Sequence, residues 1–387
     1  MVFKRKFLAI LGISILLTSV VAWLGTTVPS GYYFETRYPK LCTWDCLLYA
    51  EIAENGYHFT LPPLPHWHSN VSFFPTFPLS ARAVHLTTGL SGRLSVLIVS
   101  QIFAVVFWFL FFLILDFWQV NLFVTCALTL TILAQPAAFF LVTGYSESMF
   151  LSAMLAMIYF LERKKTLSSG VSAFVMSGSR IVGLPLAIYP LLACAAQAGF
   201  KKIDFKPWIA SFIGTLGAGL FFFYCYLKWG YADLYMQNQK EGWGIVPNYF
   251  AILHWSTLRF STAYDFWSTI SIPVLLFVFA AAEALAYFRF KDRRISQRLP
   301  LYFCILAMDY INISGLVSRW FYSMIRYVFP CVVLFSLCAA HLSKAFPRLP
   351  APVTVGLFIA WGYVMGVLFF DVELTHYIDY MRYVWFA

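Results

Sequence analysis

The 387-residue chain is 61% hydrophobic and only 11% charged, with a mean hydropathy of +0.75. A soluble domain carries about twice that charged fraction, so a water-soluble core-and-surface arrangement is excluded. The formal net charge of +10 resembles a nucleic-acid signal, but the basic residues lie in short segments between apolar runs and report topology instead.

Those runs are continuous and ~17–24 residues long, the length a helix needs to cross hydrocarbon. A membrane barrel would show short alternating segments, and lipid offers the backbone no hydrogen-bond partner, so the runs are expected to be helices. The expected fold is an all-α polytopic membrane protein of about ten or eleven spans, forming a single membrane domain over residues 1–387.

The first run, 7–26, follows Lys4-Arg5-Lys6 and has no clear small-x-small cleavage site behind it. It reads as a retained signal anchor. A long loop, 27–92, comes next, followed by spans at 93–116, 120–142, 147–161, 167–183, 184–198 and 207–228. The pair at 167–198 holds Arg180, Gly183, Pro185 and Pro190, and reads either as two spans or as one broken helix with a re-entrant piece. A second long loop, 229–265, precedes spans at 266–288, 299–317, 326–343 and 351–371.

With the N-terminus in the cytoplasm, Lys4, Arg5, Lys6, Arg163, Lys164, Lys165, Lys201, Lys202, Lys206, Arg289, Lys291, Arg293, Arg294, Arg298, Lys344 and Arg348 share one side. These are sixteen of the 27 Lys and Arg, against five acids, Asp116, Glu162, Asp204, Glu283 and Asp292. This is the positive-inside pattern, and it puts both long loops on the extracytoplasmic face. Loops of this size suit an enzyme at the outer interface better than a transporter.

Within the first loop, Leu41 to Asn55 has helical spacing, with Trp44, Leu47, Leu48 and Ile52 on one face and Asp45 and Tyr49 one turn apart on an adjoining one. A second amphipathic stretch follows Pro75 and runs to Leu86. Such helices are expected to lie in the interface plane, with Asp45 near headgroup depth. Cys42 and Cys46 flank Asp45. As an i,i+4 pair on a helix they are poorly placed for a disulfide, and the other cysteines act as small hydrophobes in apolar spans.

An acid flanked by aromatic residues beside a membrane can be held basic enough to act as a general base; an acid capping or pairing at a helix end is the competing role. The stretch Trp44-Asp45-x-x-x-Tyr49-x-x-Ile52-Ala53-x-x-Gly56-Tyr57 is followed in order by five further motifs: Phe73-Phe74-Pro75-x-Phe77-Pro78-Leu79, Tyr145-Ser146-Glu147-Ser148-x-Phe150, Ser179-Arg180-x-x-Gly183, Ala232-Asp233-Leu234 with Gln239 and Trp243, and Arg326-Tyr327-x-x-Pro330. Taken together these resemble the PIG-V type mannosyltransferases, the enzyme adding the second mannose to GPI anchors and its bacterial relatives, within the GT-C superfamily of lipid-dependent glycosyltransferases. The resemblance is collinear over about residues 1–340. It departs at Cys46, where many relatives have Gly, and around His66-Trp67-His68.

The resemblance implies an inverting transfer of a hexose, mannose above all, from a polyprenyl-phosphate donor to a lipid-linked or cell-surface acceptor. Asp45 would be the base. Arg180 and Arg326 would meet the leaving phosphate, since an ionisable group at membrane depth must repay its desolvation, and Trp44, Tyr49, Glu147, Gln239 and Trp243 would line the substrate site. Snorkelling at a helix end is the other role open to Arg326. Glu147 could equally be an acid stabilised by a helix N-terminus, and Arg319 reads as an interfacial anchor beside Trp320 and Phe321. Asp309 sits mid-span and needs a partner. His66 and His68 alone are a weak metal signal, so no metal or other cofactor is expected. The partners expected are the lipid-linked sugar, a glycan or lipid acceptor and membrane lipids, without nucleic acid. The short chain points to a bacterial plasma membrane; in a eukaryote the same topology would sit in the endoplasmic reticulum. The reading from a different class is a transporter or lipid flippase, which would show inverted repeats and discontinuous helices paired across two halves.

Overall fold

The computed structural model describes residues 2–27, 38, 41–59, 69–199, 204–250, 266–316 and 324–345. All regular structure among them is helical: α1 Val2–Thr27, α2 Asp45–Asn55, α3 Thr76–Thr88, α4 Gly92–Phe117, α5 Leu122–Leu133, α6 Glu147–Glu162, α7 Thr166–Ser177, α8 Gly183–Leu186, α9 Tyr189–Gln197, α10 Phe205–Trp229, α11 Leu234–Trp243, α12 Phe266–Phe290, α13 Ile295–Leu316 and α14 Met324–Leu342. Four of these hold segments long and apolar enough to cross a bilayer: Arg5–Trp23, Gly92–Phe117, Phe205–Trp229 and Ile272–Phe290. The chain is an α-helical membrane protein. The expected span at 351–371 lies outside the described residues, as do His66, Trp67, His68 and Arg319.

Two sequence expectations are corrected in detail and one left open is resolved. The run at 120–142 is not one helix: α5 stops at Leu133 and a 3₁₀ turn occupies Pro136–Leu141, because Pro136 supplies no amide to continue the ladder. The stretch at 167–198 takes the broken form, with α7, the single turn α8 and α9. The first-loop helix begins at Asp45, not Leu41, for a reason given below.

The described residues fall into two compact units, one from Met1–Ile114 and Phe139–Gly244 and the other from Leu115–Ala138 and Ile245–Ala387. In the first, α7 and α10 form a close seam. An added Cβ at Gly170 would lie 2.7 Å from the Ala210 backbone, one at Gly214 would lie 2.7 Å from the Ala173 methyl, and one at Gly217 would overlap the Phe174 carbonyl and the Ser177 hydroxyl. Ser177 Oγ also donates to the Gly214 carbonyl at 2.5 Å. Small residues let the two backbones approach, as helices in lipid must when no hydrophobic difference drives them together. On the same α10, Phe212, Phe223 and Leu227 are exposed, while Phe221 is buried with Ala210, Gly214 and Gly217. Asp204 caps its first turn through the Phe205 amide at 2.7 Å, and Gly230 ends it in the left-handed region at φ 83. In the second unit, α14 packs against α5, α12 and α13.

Candidate functional site

The site grows from a tight turn ahead of α2. Leu41 N donates to the Tyr38 carbonyl at 3.1 Å and Cys46 N to the Thr43 carbonyl at 3.1 Å, while Trp44 takes φ 52. A positive φ at a bulky residue is uncommon and breaks any helix through it, so α2 begins one residue later, on Asp45. Because the turn lifts Cys42 off the helix, the geometry assumed for an i,i+4 pair does not apply. Cys42 and Cys46 are disulfide-bonded, with Cα atoms 5.1 Å apart, within the ordinary range. The expectation that this pair is poorly placed is therefore wrong.

The buried face of α2 also differs from the one expected. Leu47 is exposed, while Cys46, Tyr49, Ala50, Ile52 and Ala53 are buried. Tyr49 meets Phe73 and Phe77 edge-on, with ring centroids 4.7 and 4.9 Å away, and its hydroxyl donates to Ser146 Oγ at 3.0 Å. The far end of α2 is held by Arg82 of α3, whose Nη1 donates to the carbonyls of Ala53 at 3.1 Å and Glu54 at 3.0 Å. These are the carbonyls a helix leaves unsatisfied at its C-terminus.

Around this turn the sequence motifs converge. Gly144 N donates to the Leu41 carbonyl at 3.3 Å, the Tyr145 hydroxyl donates to the Thr43 carbonyl at 3.0 Å, and a Cβ at Gly144 would overlap Cys46 Sγ. Glu147, the first residue of α6 and buried, pairs with Arg180 Nη1 at 2.5 Å. Arg180 stands in the break between α7 and α8, its side chain 12% exposed. The break is tied to the start of α3 by Thr76, whose amide donates to the Gly178 carbonyl at 2.9 Å and whose hydroxyl donates to the Val175 carbonyl at 3.2 Å. Trp44-Asp45, Phe73-Phe77, Tyr145-Glu147 and Ser179-Arg180 are thus joined by direct contacts. Asp45 and Trp44 are half-buried at this junction.

The fifth motif joins through a residue that periodicity did not single out. Asn238 of α11 is fully buried, and its Nδ2 donates to the Ser69 carbonyl at 2.7 Å and to Ser72 Oγ at 2.5 Å. Its neighbour Gln239 is half-buried and Glu241 exposed, the latter 3.7 Å from Lys240. Trp243 closes α11. Burial pushes the hydroxyl of Tyr57 well above its ordinary range, and it serves as a neutral donor to the Phe73 carbonyl at 2.7 Å.

Arg326 belongs to the second unit. It is buried near the start of α14, with its guanidinium 5.4 Å from the Tyr327 ring centroid. The Tyr327 carbonyl accepts from Asn312 Nδ2 of α13 at 3.0 Å. Asp309 is buried on α13.

That unit also holds a charge network absent from the sequence reading, which counted Arg298, Glu283 and Asp292 only as charges of the cytoplasmic side. Arg298 on α13 is 1% exposed. It donates through Nε and Nη2 to the two carboxylate oxygens of Glu283 on α12, both at 2.5 Å, and through Nη2 to Asp292 at 3.2 Å. Its Nη1 lies 3.1 Å from His341 Nδ1 on α14, and Tyr302 donates to Glu283 at 2.8 Å. No cluster of three or more His, Cys, Asp or Glu with metal-site geometry occurs among the described residues.

The first-unit site offers a carboxylate at a helix start, where the macrodipole favours the anion, and, joined to that helix through Tyr145 and Ser146, an acid–guanidinium pair at a helix break. Such a set can accept a proton and meet a phosphate. No family model, curated protein or solved structure matches this chain.

Proposed function

We propose that the chain is an inverting, polyprenyl-phosphate-sugar-dependent glycosyltransferase of the GT-C type, moving a hexose, mannose by preference, onto a lipid-linked or cell-surface acceptor at the extracytoplasmic face of a membrane that it crosses many times. Asp45 takes the proton of the acceptor hydroxyl as that oxygen attacks the anomeric carbon, and the lipid phosphate leaves from the opposite side. Arg180 is assigned to the leaving phosphate, and Trp44, Tyr49, Glu147, Gln239 and Trp243 to substrate contact.

The observation that carries the reading is that motifs scattered over residues 44–180 are joined around the helix that Asp45 begins, through the Tyr145–Thr43, Tyr49–Ser146, Glu147–Arg180 and Thr76–Gly178 contacts. The Cys42–Cys46 bond supports the sidedness, since disulfides persist in oxidising compartments and not in the cytosol.

The test is to incubate purified protein with labelled polyprenyl-phosphate mannose and candidate lipid acceptors and to analyse the products. Asp45→Asn should abolish transfer, a loss of at least about 100-fold for a general base, while the protein still inserts and elutes as a single species. Full activity of that variant would remove Asp45 from the mechanism.

One observation favours the transporter or flippase reading: the discontinuity at α7–α8–α9, with a buried Glu147–Arg180 pair beside it, is a device transporters use. Solute or lipid flux in proteoliposomes, without sugar transfer, would establish that reading instead.

A further inference from the structure

We infer that the Cys42–Cys46 disulfide is a positioning staple that fixes the backbone of Trp44 and Asp45; its bearing on catalysis rests on the transferase reading above. The bond closes a loop of five residues, and the residue before Asp45 inside it is held at φ 52, a conformation a tryptophan adopts only when its surroundings impose it. Two hydrogen bonds from Gly144 and Tyr145 pin the carbonyls of Leu41 and Thr43 from outside. The sulfur of Cys46 then lies where any Cβ at position 144 would stand, so Gly144 is the residue type that lets α6's leading loop close onto the bond.

Cys42 and Cys46 are 3% and 0% exposed. A bond this buried is shielded from exchange with solution thiols, which marks a permanent structural element, not a reversible switch. Without it, the turn loses its one covalent closure around a strained Trp44 and relies on hydrogen bonds and packing, so the carboxylate is held less tightly in one orientation. A positional error of about 1 Å at a reacting group is enough to cost a hundredfold in rate.

The first measurement unfolds the purified protein in guanidinium and alkylates it with iodoacetamide before and after dithiothreitol, followed by peptide mapping. Residues 42 and 46 should be unalkylated until dithiothreitol supplies two electrons and two protons, closing to its own cyclic disulfide and leaving two thiols. Free thiols at both positions in the native protein would overturn the inference.

Amide exchange is the second, and it is independent of any activity. The amides of Cys46 and Leu47, which donate to Thr43 and Trp44, should lose at least tenfold protection in Cys42→Ser/Cys46→Ser, with the α2 interior unchanged. If that variant does not fold, native protein reduced at a denaturant concentration that opens the turn, alkylated and returned to detergent buffer is read the same way. Unchanged protection sinks the staple.

In transfer assays kcat should fall at least tenfold with donor KM within twofold, and the double variant should be no worse than either single, because each single already removes the bond. Multiplying losses, an unchanged kcat or a change confined to KM would count against it. A native protein that shows the bond and the exchange pattern but transfers no sugar keeps the staple and loses the transferase.

Discussion

Arg298→Met isolates the charge network of the second unit. The arginine is 1% exposed and reaches both oxygens of Glu283 at 2.5 Å and Asp292 at 3.2 Å. Removing it leaves the Glu283 carboxylate, itself 3% exposed, with only the Tyr302 hydroxyl among the partners described. Leaving one buried charge uncompensated costs about 3–5 kcal/mol, whereas replacing both partners by apolar groups of similar size is often neutral. Adding the separate hydrogen bonds at ~1.5–3 kcal/mol each would overshoot, since all of them compete with the same desolvation. The assay is denaturant unfolding of purified protein in detergent micelles, run as a double-mutant cycle with Glu283→Leu. Arg298→Met alone should lose about 3–5 kcal/mol, and the double variant should recover most of that loss. Additive losses, or an Arg298→Met variant within about 1 kcal/mol of the native protein, would refute the argument that the pair is coupled and buried.

Gly217→Ala should cost about 1–3 kcal/mol or more in the same unfolding assay, because its methyl would overlap Phe174 and Ser177 across the α7–α10 seam; Gly219→Ala on the same helix, with nothing within 4 Å of the added carbon, is the silent control. Arg82→Met should destabilise by about 1–3 kcal/mol through the unsatisfied carbonyls of Ala53 and Glu54, read as lost exchange protection in the last turn of α2. Burial pushes the Asp292 carboxyl up, but the hydrogen bonds and charge of Arg294 and the charge of Arg298 outweigh it and hold it below its usual value. Its contribution to stability is therefore complete above the unfolded carboxyl pKa of about 3.9 and is lost as pH falls through the lower folded value. Asp292→Asn should remove that part of the acid limb of a stability-against-pH curve.

What the sequence made legible was set by burial in lipid. The runs behind α1, α4, α10 and α12 are continuous and apolar, so their helices could be placed to within a few residues. Gly183, Pro185 and Pro190 kept a break near Arg180 open as one of two readings, because a proline supplies no amide to a continuing ladder and a glycine weakens a helix interior. The turn at 41–46 was opaque for the opposite reason: its geometry comes from a disulfide and from one residue at φ 52, and neither leaves a periodic trace. The face of α2 was misread because the pattern ranks Leu47 above Cys46 and Ala53, whereas close approach to Gly144 and Arg82 selects the small ones. Asn238 and the Arg298 network went unseen because each is completed by partners distant in sequence: 169 residues separate Asn238 from Ser69, and 43 separate Arg298 from His341.

The contacts that close the candidate site span long stretches of chain: 97 residues from Tyr49 to Ser146, 99 from Thr76 to Val175, 102 from Thr43 to Tyr145 and 171 from Tyr57 to Lys228. A ribosome delivers these segments in order, at about 5–20 residues per second. The turn bearing Asp45 is therefore synthesised well before the distant groups that hold it, and waits through the making of α4 and α5. Among its fixings, the Cys42–Cys46 bond is the covalent one with both ends present at the outset. In biogenesis it would act before the rest of the fold exists, narrowing the ensemble that α6 and the α7 break must later capture and lowering the entropic barrier to that distant closure.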